Sequence, residues 1–134
     1  MIDQRTGSIE LLGGEVKPFL KLSNFLETEL GRRAKKGLEH GEWLNYDARI
    51  GDSLNAVFVF KDGALVEARL SKRSPEESSW ATWSEAEESR RKAAHDDLLK
   101  QELGNPPYRF LWGVVESVLD QKGGGSQIIV RYRG

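Results

Sequence analysis

Two periodicities divide the chain. From Trp43 to Ile50 and from Leu54 to Lys61, apolar and polar residues recur in steps of two, as in strands that bury one face. Asp62-Gly63, between VFVFK and ALVEARL, is a two-residue hairpin signal of type I′, whose central residues carry the twist of the flanking strands. Such a loop pairs Lys61 with Ala64 and Phe60 with Leu65. Carried on without interruption, the alternation puts Val57, Val59, Val66, Ala68 and Leu70 on one face and Phe58, Phe60, Leu65, Glu67 and Arg69 on the other. The aliphatic face is expected to be the core face, with Phe58 and Phe60 covered separately by a helix or loop.

The period changes between Trp80 and Pro107, which carries start and stop signals for one long helix. Thr82 or Ser84 serves as N-cap, each with a glutamate three residues on (Glu85, Glu87) to complete a capping box. Gly104 supplies a left-handed C-terminal residue, and Asn105, Pro106 and Pro107 end the ladder. Glu87 with Arg91 and Glu88 with Lys92 stand four apart, acid first, as supporting pairs. Ala94, Leu98, Leu99 and Leu103 form an apolar stripe confined to the second half, so the first turns are expected to run along the surface.

Shorter signals fill the remainder. Gly7 to Val16 alternates briefly around Gly13 and Gly14, which predicts a strand or tight hairpin. Ser23 caps a short helix with Leu22, Phe25, Leu26 and Leu30 on one side, and Gly31 ends it. The basic run Arg32, Arg33, Lys35, Lys36, followed by Gly37 and Gly41, reads as a loop. Tyr108 to Leu119, with Trp112 in mid-strand, and Gln127 to Arg133 form a second strand pair joined by a mobile glycine-rich loop. These elements add up to an α+β single domain, residues 1–134: an antiparallel sheet of about five or six strands packed by one long and one short helix.

Composition narrows the chemistry. The chain has no cysteine, which excludes disulfides, thiolate metal sites and thiol nucleophiles, and suits a reducing compartment. Charged residues make up 31% of the chain but leave a net charge of -1, so the whole molecule has no electrostatic pull toward nucleic acid or anionic membrane. No apolar run approaches the roughly 20 residues of a membrane span, and the N-terminus lacks a basic segment followed by an apolar core; a cytoplasmic protein is expected.

Motifs with a mechanism are missing from the string. There is no G-x-S-x-G elbow, H-E-x-x-H, Walker motif or G-x-G-x-x-G, and no cofactor or metal is expected. The segment Lys122 to Ser126 has the lysine and glycines of a phosphate cradle, but the residues after Ser126 are β-branched and read as strand, whereas a cradle opens a helix. Asp96 and Asp97 follow His95 at successive 100° rotations, so these three cannot converge on one metal. Glu116 and Asp120 share a strand face as a weak carboxylate pair.

Three places remain as candidate sites. His95, on the apolar stripe, reads first as a packed histidine and second as the titratable wall of a pocket between helix and sheet. Trp80 and Trp83, beside Arg90 and Arg91 at the polar end of the helix, are a candidate binding surface. Arg32, Arg33, Lys35 and Lys36 are a candidate basic patch for an acidic partner, against the plainer reading of a solvated loop.

A set of motifs spread over the chain carries a resemblance. Arg5-Thr6-Gly7 with Ile9, Val16 to Pro18, Phe25-Leu26, W-x-x-WSE at Trp80 to Glu85, RKAAHD at Arg91 to Asp96, LG-x-PP at Leu103 to Pro107 and WG-x-V-x-S-x-x-D-x-KGG-x-S-x-I-x-VRY at Trp112 to Tyr132 together resemble a group of small bacterial proteins with no assigned activity. The resemblance implies a bacterial cytosolic single domain and supplies no catalytic residues. The expectation is therefore a non-enzymatic protein-binding domain, monomer or homodimer, with toxin neutralisation by an immunity-type protein as one concrete version. The alternative is a small-molecule-binding domain with a tryptophan-lined pocket between helix and sheet. An enzyme with an unfamiliar site ranks third.

Overall fold

The computed structural model describes residues 1–72, 85–120 and 125–133. Where the alternation predicts strands, β4 (Trp43–Ile50) and β5 (Leu54–Lys61) form over those bounds, and β6 (Ala64–Lys72) continues through the expected hairpin. Asp62 and Gly63 have φ of 51° and 79°, as a type I′ turn needs, and Lys61 faces Ala64 while Phe60 faces Leu65.

The expected core face holds for Ala68 and Leu70 but not for β5, which turns Phe58 and Phe60 inward in place of Val57 and Val59. Val59 pairs with Glu67 although Phe60 pairs with Leu65, so Val66 is an extra residue, a bulge that flips the alternation of the rest of β6. Ala68 and Leu70 thereby join Phe58, Phe60 and Leu65 on the core face, all within 1% of full burial, while Glu67 and Arg69 lie with Val57 and Val59 on the opposite face. Phe58 and Phe60 do receive the expected cover. The ring of Phe25 lies 5.2 Å from each and 5.9 Å from Tyr46.

Phe25 belongs to α1 (Leu22–Glu27), which is followed directly by α2 (Glu29–Arg33), so two short helices stand where one was expected. The break is Thr28. Its amide and its Oγ1 both donate to the Phe25 carbonyl, closing α1, and the same Oγ1 accepts from the Gly31 amide, capping α2. Lys21, not Ser23, occupies the N-cap of α1 and makes no side-chain cap bond. Gly31 lies inside α2 because a Cβ there would overlap the Phe25 carbonyl; close approach, not termination, requires the glycine.

The sheet is larger than expected. Seven strands run in the order β3 (Lys35–His40), β4, β5, β6, β9 (Gly125–Tyr132), β8 (Gly113–Asp120) and β7 (Tyr108–Phe110), every neighbouring pair antiparallel. A separate two-stranded hairpin consists of β1 (Ile9–Leu11) and β2 (Gly14–Val16). The basic run expected as a loop instead ends α2 and enters edge strand β3, every residue of which is exposed, which is why it lacks an apolar alternation. The segment expected as one strand from Tyr108 is two, β7 and β8, paired across a turn at Leu111 and Trp112. β9 then pairs with both β8 and β6.

The long helix α3 (Glu85–Leu103) ends as expected at Gly104, with φ of 80° and its amide bonded to the Lys100 carbonyl. Its capping candidates Thr82 and Ser84 lie outside the described residues. α3 packs on β6, β8 and β9, and α1 packs on β5 through Phe25, on the same face of the sheet. Among the described residues, no helix is long and apolar enough to cross a membrane.

Candidate functional site

α3 buries a polar line where its first half was expected to be surface. Glu88, His95 and Leu99, at helical spacings of seven and four, all face inward, and His95 is completely enclosed. The Lys72 amide, at the end of β6, donates to His95 Nε2 at 3.1 Å. With Nε2 accepting, Nδ1 carries the proton and donates to Ser126 Oγ at 2.8 Å. The Ser126 amide in turn donates to Glu88 Oε2 at 2.8 Å, and Arg91 Nη1 donates to Glu88 Oε1 at 2.6 Å. Gly125, with φ of 69°, makes this approach possible, because a Cβ there would stand 2.5 Å from Glu88 Oε2.

A serine, a histidine and a glutamate in one network invite comparison with a nucleophilic triad. The proton placement argues otherwise: the imidazole nitrogen that faces Ser126 is a donor, so it cannot take the hydroxyl proton, and the carboxylate holds the serine amide, not the imidazole. The network joins α3 to the end of β6 and the start of β9, and its consequence is structural. Burial, reinforced by the charges of Arg91 and Lys72 against an opposing Asp96, lowers the His95 pKa from 6.5 to about 4.

This shift fixes a sign for pH dependence. Above pH 6.5 the imidazole is neutral both folded and unfolded, but between 6.5 and about 4 only the unfolded chain takes the proton, so stability is lost as pH falls through that window. The loss attributable to His95 is on the order of 3 kcal/mol by the bottom of the window. Urea titrations of the wild type and of His95→Gln from pH 7.5 to 4 are expected to converge at low pH; parallel curves would contradict the assignment.

The other candidate residues are distributed differently from expectation. Arg90 is exposed, whereas the Arg91 side chain is 15% exposed and pairs with Glu88. Trp80 and Trp83 lie outside the described residues. Lys92, expected to pair with Glu88, instead reaches Asp96 Oδ2 at 2.9 Å. The basic patch is split between two elements: Arg32 and Arg33 close α2, with Arg33 Nη2 on the Leu12 carbonyl at 3.4 Å, whereas Lys35 and Lys36 lie on β3, where Lys36 pairs with Glu39 at 3.0 Å. Glu116 is taken by Arg131 at 3.0 Å. Both ring nitrogens of His95 are held by protein groups, the Lys72 amide and the Ser126 hydroxyl. No group of residues suited to a metal ion occurs among the described residues.

Two features went unread in the sequence. The first is the sheet face opposite the helices. Val59 and Ile129 are buried there yet stand outside the main core cluster, beside an ion-pair ladder in which Glu67 binds Arg69 at 2.6 Å and Arg131 at 3.0 Å, and Arg131 binds Glu116. Trp43, with Lys61 Nζ 5.3 Å from its ring centre, stands at the corner of this face. The second is a cleft of about 450 Å³ at the β7 edge, walled by arginines and aromatic rings from three separated stretches of chain. No family model, curated protein or solved structure matches this chain.

Proposed function

We propose that the chain is a non-enzymatic protein-binding domain whose partner docks on the sheet face opposite the helices. The observation that carries this reading is the ladder Arg69-Glu67-Arg131-Glu116 laid over Val57, Val59 and Ile129 on a face that no described helix covers. Charges already paired with one another cost less to desolvate than isolated ones, and an apolar floor among them provides the contact area, so the face suits a partner with a similarly mixed surface. Seven hydrogen-bonded strands hold it in one shape, which limits the ordering cost of association. By analogy with compact α+β immunity proteins of this size, toxin neutralisation is the concrete version of this reading, with a toxin as the partner.

The expected result is that a stoichiometric partner co-purifies from the native host, and that Trp43→Ala combined with Arg131→Glu weakens its binding at least about tenfold, or roughly 1.4 kcal/mol, without unfolding the chain. A preparation free of any partner, together with undiminished fitness of a deletion strain challenged by toxins of neighbouring strains, would sink the reading.

A further inference from the structure

The cleft at the β7 edge brings together Arg5 of the N-terminal turn, Arg109 of β7 and Arg133 after β9, around Phe110, Leu111 and Trp112. Its size falls within the range of small-molecule sites, about 300–1,000 Å³. The aromatic wall is flat and fixed: Phe110 and Trp112 stack at 4.9 Å and 9°, the indole Nε1 donates to the Gln4 carbonyl at 2.9 Å, and Gly7 admits the indole because a Cβ there would stand 2.5 Å from it. Arg133 is pinned as well, its Nη2 donating to the Phe110 carbonyl at 2.5 Å and its Nε to the Leu111 carbonyl at 3.3 Å.

The other two guanidiniums differ. Arg5 and Arg109 are exposed, and neither makes a side-chain hydrogen bond or ion pair among the described residues. Asp3, the neighbouring acid, accepts at Oδ1 from the Arg5 and Thr6 amides and forms no ion pair with the Arg5 guanidinium. Cations without an acid, placed beside a planar apolar wall, favour one ligand chemistry: a flat hydrophobic body lies on the aromatic and leucine side chains while an oxyanion takes the fork-shaped donors of arginine. Leu111, 97% exposed at the turn between β7 and β8, adds apolar surface that no other described residue covers.

We infer that this cleft is a binding site for a small aromatic oxyanion, with Arg5 and Arg109 holding the anionic group and Phe110 and Leu111 the ring. The inference does not rest on the partner proposed above, since Arg5, Arg109, Phe110 and Leu111 take no part in the ion-pair ladder. The oxyanion is a phosphate monoester or a carboxylate, and the probes separate these sources: phenyl phosphate and benzoate as ligands, with phenol and inorganic phosphate as half-ligands.

NMR titration of the full chain reads the site through the Trp112 indole proton. Either phenyl phosphate or benzoate, or both, is expected to shift that resonance saturably, and phenol and inorganic phosphate to bind at least tenfold more weakly. Arg5→Gln with Arg109→Gln is expected to weaken binding at least tenfold at an unchanged melting temperature, these side chains being exposed, and Phe110→Leu to reduce the preference for the aromatic probes over inorganic phosphate. No saturable shift with either aromatic anion, equal binding of a half-ligand, or binding that survives loss of both arginines would overturn the inference.

Discussion

Replacing Glu88 by alanine is expected to destabilise the protein by about 3–5 kcal/mol, the usual cost of removing one member of a buried ion pair. The carboxylate has two partners that the substitution deprives at once. Arg91, with a side chain 15% exposed, loses a 2.6 Å bond, and the buried Ser126 amide loses its acceptor. Gly125 was placed to admit this carboxylate, so truncation also opens space at the bend into β9. Glu88→Gln separates the contributions, because an amide oxygen still accepts from Ser126 while the charge pairing is gone; its cost is expected to be about 1–2 kcal/mol. Urea denaturation measures both. Equal losses for the two variants would mean that charge pairing, and not the amide acceptor, dominates; a loss below about 1 kcal/mol for alanine would remove the network from the account of stability.

Phe25→Ala is expected to cost a similar amount, about 3–5 kcal/mol, by a different mechanism. The ring is fully buried and has three aromatic neighbours, Tyr46, Phe58 and Phe60, on two strands of the sheet. Six-residue α1 has no other buried residue, so losing this side chain loosens the whole helix from the sheet. Leu26, its neighbour in sequence, is exposed, and Leu26→Ala is expected to stay within about 0.5 kcal/mol. Thermal melts of the pair provide the contrast. Similar melting temperatures for the two variants would show that Phe25 does not anchor α1.

Much of the frame was legible where one local signal decides it. Asp62-Gly63 fixed a hairpin, Gly104 a helix end, and the period of two gave β4 and β5 their bounds. What failed did so for physical reasons attached to single residues. Val66 is an ordinary apolar residue in an apolar run, and nothing in its identity announces that it is the extra one of a bulge; yet that one insertion sets Ala68 and Leu70 beside Phe58 and Phe60 and not, as expected, beside Val57 and Val59. Gly31 looked like a terminator and is a site of close backbone approach, while Thr28, which both ends α1 and caps α2, has no apolar pattern to mark it. β3 is exposed along its length, so it shows no alternation, and only pairing with β4 defines it.

The candidate sites were less legible because they are assembled over long sequence separations. Arg5, Arg109 and Arg133 meet only once β7, β8 and β9 are in register, and no spacing in the string relates them. His95 could be singled out as a lone histidine on an apolar stripe, but its partners Lys72 and Ser126 lie 23 and 31 residues away, and Glu88 was hidden among other acids of a polar half-helix. A glutamate seven residues before a buried histidine, on the same helical face, was the available signal.

The strand order has a kinetic consequence. From β3 to β6 and from β7 to β9, every pairing joins strands consecutive in sequence, so these two meanders close over short loops at small entropic cost. Their junction is different: Glu67 meets Arg131 across 64 residues, a non-local closure of the kind that slows folding. α3 lies over the seam, touching β6, β8 and β9, and the His95 and Glu88 bonds to Lys72 and Ser126 span it at one end. The buried polar line is thus a clasp between two halves that form locally, and its contribution falls on the rate at which they part.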